Sequence, residues 1–73
     1  MKLEMLAKDD KSGIDGCPTV YRADDDSLVV QGCLVDAATY GDLHNVLPGE
    51  AAVHIDADVV VRALARYDDT GPR

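Results

Sequence analysis

The side chains best able to carry chemistry are two cysteines and two histidines, Cys17, Cys33, His44 and His54. They are the ligand types of a zinc site, but structural zinc sites take such ligands in closely spaced pairs, which this sequence lacks. A cysteine beside a histidine can also form a nucleophilic thiolate, and Cys33 with either histidine is the candidate pair. The sequence contains no phosphate-binding glycine loop, nucleophile elbow or zinc-protease motif. We therefore predict a protein that is not an enzyme and that holds no metal or cofactor.

Acidic residues are the second conspicuous group. Fourteen acids against seven bases give a formal net charge of -7, which opposes direct binding to nucleic acid phosphates. The acids cluster at residues 9–10, 24–26 and 68–69, a pattern typical of solvated loops and termini. The alternative is a docking surface for a basic protein, and the run Asp24, Asp25 and Asp26 is the best candidate for it.

Two extended segments must position that aspartate run. Residues 17–23 and 27–35 are rich in β-branched and aromatic residues and flank a cluster of turn formers, which predicts an antiparallel hairpin. If the three aspartates form a three-residue loop, Tyr21 lies opposite Val29. These two side chains then share a sheet face on which a partner could bury apolar area.

The same register places Cys17 opposite Cys33. Cβ atoms of directly opposed residues lie roughly 4.5–5.5 Å apart, which is close to the spacing of a disulfide. A two-residue loop would shift the register and separate the cysteines. A disulfide and two free thiols both remain open, and the reducing cytosol favours free thiols.

The remaining segments complete one small domain of 73 residues. Residues 1–7 fit an edge strand slightly better than a helical turn, and residues 51–55 alternate as a half-buried strand. Asp36 is placed to cap a helix reaching Leu47, with a loop containing one helical turn as the alternative. Residues 8–16 are expected to form a flexible loop and residues 68–73 a frayed tail.

A second helix is predicted from Ala57 to about Tyr67, because apolar residues recur there at helical spacing. The expected inward face consists of Ala57, Val60, Val61, Leu64 and Tyr67. Asp58, Arg62 and Arg66 form the opposite face, which we interpret as solvated and salt-bridged rather than phosphate-binding.

The order of these elements predicts an α+β fold, in which a small antiparallel sheet of the hairpin and a third strand is packed by the C-terminal helix. No apolar run approaches a membrane span, and the first residues lack the apolar core of a signal peptide. We therefore expect a cytoplasmic protein without membrane contact.

Three stretches carry a resemblance to a known group: Gly16-Cys17-Pro18-Thr19-Val20-Tyr21-Arg22, Val29-Val30-Gln31-Gly32, and Leu47-Pro48-Gly49-Glu50 with Val53 and Ile55. Over residues 16–64 the chain resembles small actinobacterial proteins of unknown function encoded near helix-turn-helix regulators, although Cys33 stands where those proteins are expected to carry an aromatic residue. The resemblance implies an accessory role in regulation by protein contact.

These observations predict a non-enzymatic protein-interaction module that binds a regulator or its own copy. The alternative is an acidic inhibitor, such as an antitoxin, immunity or anti-defence protein, that blocks a basic nucleic-acid-binding site.

Overall fold

The computed structural model describes residues 1–9 and 18–70, with the side chain of Thr70 excepted. Within these ranges the chain forms five strands and two helices. In chain order they are β1 (Leu3–Lys8), β2 (Thr19–Ala23), β3 (Leu28–Gln31), β4 (Cys33–Leu34), α1 (Ala37–Tyr40), β5 (Val53–His54) and α2 (Ala57–Thr70).

The predicted hairpin and its register are confirmed. Strands β2 and β3 pair antiparallel, with Tyr21 opposite Val29. In the turn, the Asp26 amide donates to the Ala23 carbonyl at 3.0 Å, and the Ala23 amide donates to the Ser27 carbonyl at 2.9 Å. Asp26 adopts a φ of 69°, the left-handed conformation that closes a three-residue hairpin loop and that glycine usually supplies. Aspartate tolerates this conformation better than most residues, so the triple-aspartate loop fixes the register.

The α+β fold is also confirmed, but the third strand of the main sheet comes from the N-terminus. The sheet order is β1-β2-β3, and every pair is antiparallel. The predicted strand at residues 51–55 shrinks to β5, which pairs with β4 in a separate two-stranded sheet. The chain changes sheets at Gly32, where an added Cβ would lie 2.9 Å from the His54 carbonyl oxygen. Two backbone segments therefore approach each other closely at Gly32.

Helix α2 packs across β1 and β2 and closes the core. The buried apolar side chains of this cluster are Leu6, Ala7, Val20, Val59 and Ala63, with Ile55 and Tyr67 packed against them.

The predicted inward face of α2 is confirmed at Tyr67, which packs against the core, and Val60 is half-buried. The centre of the face is wrong by about one residue, or roughly 100° of rotation. Val59 is fully buried, whereas Val61 is 65% exposed and Leu64 is 47% exposed. Three consecutive valines occupy positions 59–61, so the apolar spacing alone does not decide which of them points inward. The helix also runs to Thr70, three residues beyond its predicted end.

A buried arginine fixes the C-terminal half of α2. Arg22 on β2 is only 2% exposed, and its Nη2 donates to the Tyr67 carbonyl oxygen at 2.8 Å. Its guanidinium carbon lies 4.0 Å from the centroid of the Tyr67 ring. The carbonyl of Tyr67 belongs to the last helical turn, where carbonyls lack intrahelical partners and a positive charge is favoured. Arg22 therefore supplies the cation that the last turn of α2 lacks.

Residues 33–54 form an arm with none of its side chains fully buried. Asp36 caps α1 by accepting from the Thr39 amide at 2.8 Å, and this hydrogen bond lowers the pKa of Asp36. The helix ends after one turn, so the shorter alternative is confirmed and the extension to Leu47 is wrong. Gly41 follows that turn, and Asn45 takes a φ of 53° that interrupts helical geometry.

The loops carry two further differences from expectation. Lys8 still belongs to β1, and the Asp9 amide continues the pairing by donating to the Pro18 carbonyl at 2.8 Å. The rest of the loop expected at residues 8–16 lies outside the described residues, as do residues 71–73 of the expected tail.

Candidate functional site

The sheet face turned away from α2 carries the candidate site. Strand pairing aligns Met5 with Tyr21 and Tyr21 with Val29, and it aligns Leu3 with Ala23 next to them. Paired residues share a face and successive residues alternate, so Arg22 points to the helix and Tyr21 points away from it. We call the apolar surface of Leu3, Met5, Tyr21 and Val29 the open face.

The open face contains two residues that the sequence analysis predicted, Tyr21 and Val29, and two that it did not, Leu3 and Met5. Tyr21 and Val29 are half-buried, while Leu3 and Met5 are 47% and 51% exposed. The Tyr21 hydroxyl donates to Gln31 Oε1 at 2.8 Å, which fixes the ring against β3. Four apolar side chains therefore lie together on one sheet surface. The alternation of Leu3 and Met5 along the first strand was the signal that could have revealed them.

The triple-aspartate turn borders this face at the Leu3 end. Asp24 Oδ2 accepts from the Lys2 amide at 3.2 Å, and Asp25 Oδ1 accepts from the amide of Ser27 at 3.0 Å and from its hydroxyl. The hydroxyl and the amide of Ser27 hold the pKa of Asp25 below its ordinary value. The Asp26 carbonyl accepts from the Tyr67 hydroxyl at 3.0 Å, which ties the turn to α2. The hairpin therefore presents fixed negative charge beside apolar surface.

The structure brings together one of the two predicted cysteine–histidine pairs. Cys33 lies opposite His54 across β4 and β5, and both side chains are exposed. The Cys33 thiol is free, and Cys17 lies outside the described residues, so the structure does not describe the Cys17–Cys33 pair. Residues 1–9 and 18–70 contain no pocket around this pair and no group of three metal-ligating side chains.

Arg62 on the exposed face of α2 has intramolecular partners. Arg62 Nη2 donates to the Lys8 carbonyl at 2.9 Å and lies 3.6 Å from Asp58 Oδ2. The salt-bridged interpretation of this face is thereby confirmed for Asp58 and Arg62. Both side chains are about half exposed, so the pair contributes little to stability.

The chain exposes more surface than a compact protein of its size. Its accessible surface is 5325 Å², whereas a compact monomer of the same mass exposes about 4,400 Å². The radius of gyration is 13.4 Å, against about 11 Å for a compact chain of this length. The arm adds to this excess, since Leu34 and Leu47 are 69% and 62% exposed.

Comparison of the chain with protein-family models, with curated proteins and with solved structures finds no match. The resemblance to actinobacterial proteins therefore stays a prediction. No helix in the described part of the chain has the length and apolar character needed to cross a membrane.

Proposed function

We propose that this protein is a non-enzymatic protein-interaction module whose open face binds another protein. The observation that carries the proposal is the placement of Leu3, Met5, Tyr21 and Val29 on the sheet face that α2 leaves uncovered. Exposure of several neighbouring apolar side chains to water is unfavourable in free energy. A partner protein that covers them removes this unfavourable exposure.

The partner that we propose is a transcriptional regulator, for which the chain acts as an accessory in the cytoplasm. The sequence resemblance to proteins encoded beside helix-turn-helix regulators supports this choice. The acidic turn supports it as well, because fixed carboxylates beside an apolar patch steer a partner with basic residues around its own patch.

Site-specific photocrosslinking in the organism that makes the protein tests the proposal. A benzoylphenylalanine at position 5 lies in the open face, and the same residue at position 69 on α2 provides the matched control. We expect a discrete crosslinked protein from position 5 that is missing from position 69, and we expect Tyr21→Asp to abolish it. Equal products from both positions, or none from position 5, would overturn the proposal.

A second candidate function is inhibition of a basic nucleic-acid-binding protein by charge mimicry. The observation favouring it is the turn in which Asp24 and Asp25 are held by Lys2 and Ser27, because fixed charges bind with less loss of conformational freedom. Binding by this route weakens steeply with added salt and with Asp24, Asp25 and Asp26 changed together to Asn. Salt-insensitive binding excludes it.

A further inference from the structure

We propose that the outer edge of β3 pairs with β3 of a second copy, joining two sheets into one of six strands. This inference goes beyond the proposed function, because it concerns the outer edge of the sheet and not the open face, and it names a second copy of the chain as the partner at that edge. The argument starts from the backbone of residues 28–31.

Strand β3 is an edge strand, and it lacks the features that protect such edges. The sheet order places β2 on one side of β3, and no other strand of residues 1–9 and 18–70 lies on its other side. Its sequence, Leu-Val-Val-Gln, carries no charge and no proline. Natural proteins guard exposed edges with lysine, proline, bulges or a covering segment, and an unguarded apolar edge is a template for another strand.

The ladder within the hairpin decides which backbone groups point outward. Ala23 and Ser27 bond directly across the turn, so the antiparallel alternation makes Arg22 and Leu28 a non-hydrogen-bonded pair and Tyr21 and Val29 a bonded one. The amides and carbonyls of Leu28 and Val30 therefore point away from β2. Their side chains are 42% and 41% exposed on the helix side, so the outer edge is accessible within the described structure.

These outward groups fit a second copy in one symmetric register. When Val29 lies opposite Val29 of the other copy, Leu28 lies opposite Val30 in both directions. Each such pair exchanges two hydrogen bonds, so the edge forms four main-chain bonds. Ser27 then faces Gln31, and no charged residue of β3 meets another. A two-fold interface requires this kind of self-complementarity.

The arrangement of charge and apolar surface favours the antiparallel pairing. The Asp24–Asp26 turns lie at opposite ends of the paired strands, which keeps the densest negative charge apart. On the helix side, Leu28 and Val30 of each copy, which are 42% and 41% exposed in one chain, then lie opposite each other across the joined edge.

Sedimentation analysis of the full chain tests the pairing. We expect a concentration-dependent species of twice the 7.8 kDa chain mass that strengthens with added salt, since two chains of charge -7 repel. Val30→Pro removes an outward amide without touching the β2 ladder, and each dimer loses two of its four bonds. The dissociation constant should rise by roughly thirtyfold or more. Val30→Thr keeps the amide and serves as the matched control.

A cysteine scan tests the register independently of any effect of proline on folding. In a Cys17→Ser, Cys33→Ser background, Val29→Cys places two thiols directly opposite across the two-fold axis, at a spacing that a disulfide bridges. Oxidised glutathione should convert this variant to a covalent dimer. Ser27→Cys is the control, because four residues of offset separate its two copies by about 14 Å.

Three results would overturn the edge pairing. They are a monomeric wild-type chain at all concentrations, a Val30→Pro variant that stays folded and dimeric, or equal crosslinking of both cysteine variants. None of them touches the open-face proposal, because position 5 lies on β1 at the far edge of the sheet and reports on a different surface. Conversely, loss of the position 5 crosslink with an intact Val29→Cys dimer would remove the proposed function and keep the pairing.

Discussion

Replacing Arg22 by methionine is the most informative perturbation of this fold. The side chain joins the central strand to the last turn of α2, and it is almost completely buried. Methionine matches much of its length and fills the apolar part of the space, so the change removes the guanidinium while leaving little cavity. We expect a folded but clearly destabilised protein.

The magnitude follows from the contacts that disappear. A hydrogen bond from a charged donor contributes about 1.5–3 kcal/mol, and the Arg22–Tyr67 carbonyl bond is 2.8 Å long. A desolvated cation–π contact contributes about 2 kcal/mol, and a cation at a helix C-terminus contributes about 0.3–1 kcal/mol. Relief of the cost of burying a charge offsets part of this sum. The net loss in the free energy of unfolding should be about 2–4 kcal/mol.

Thermal and urea unfolding followed by circular dichroism measures this loss. For a domain of this size each kcal/mol lowers the melting temperature by about 4–8 °C, so the expected decrease is roughly 10–30 °C. Arg22→Lys retains the positive charge but not the planar guanidinium group. Its melting temperature should therefore lie between those of the wild type and the methionine variant. A methionine variant within about 0.5 kcal/mol of wild type would refute the reasoning, since surface substitutions typically have effects of that size.

Three further predictions concern the turn and the helix. Asp26→Val should destabilise the protein by about 1–2 kcal/mol relative to Asp26→Gly, because a β-branched residue strains the left-handed backbone, as thermal melts of both variants would show. Val59→Ala should cost about 1–3 kcal/mol in urea unfolding, whereas Val61→Ala should cost less than about 0.5 kcal/mol. The pKa of Asp25 is lower in the folded state than its ordinary value, so the stabilisation from its bonds to Ser27 is present above the ordinary value and is lost as the pH falls through the folded pKa. Ser27→Ala should therefore flatten the acid side of the stability profile measured by urea titration at several pH values.

Each of these predictions has a contradicting result. Equal melting temperatures for the valine and glycine variants at position 26 would mean that the backbone is not left-handed there. If Val61→Ala lowered the free energy of unfolding more than Val59→Ala, the helix face predicted by the apolar spacing would be correct. If Ser27→Ala left the stability at low pH unchanged in its pH dependence, the Ser27 hydroxyl would not stabilise the charged form of Asp25.

Local patterns predicted well wherever a single geometry satisfied the backbone. The hairpin register followed from counting outward from three aspartates, because a three-residue loop leaves one set of opposed pairs. Gly49 takes a positive φ of 88°, a conformation that glycine adopts readily. The open face was only half predicted. Tyr21 and Val29 share a strand pair that counting fixes, while Met5 joins them through pairing between distant segments.

Apolar spacing failed where several inward faces satisfied it equally. Val59, Val60 and Val61 make the apolar side of α2 broad, and the spacing pointed to the side carrying Leu64. In the folded chain Val59 is buried in the core, and Tyr67 packs against the core and contacts Arg22. A charged residue in a strand reads as solvent-exposed, so nothing in the local pattern indicated that Arg22 is buried.

The sequence by itself determined the hairpin, its register, the capped turn after Asp36 and the α+β class, because these depend on neighbours close along the chain. Only the tertiary structure decided that residues 3–8 complete the main sheet, that residues 53–54 leave it, and that an arginine lies beneath the helix. Those outcomes depend on which distant surfaces meet, and the free energy of such contacts belongs to pairs of elements rather than to either element alone. Within residues 1–9 and 18–70, the open face and the outer edge of β3 remain uncovered once those pairs have formed.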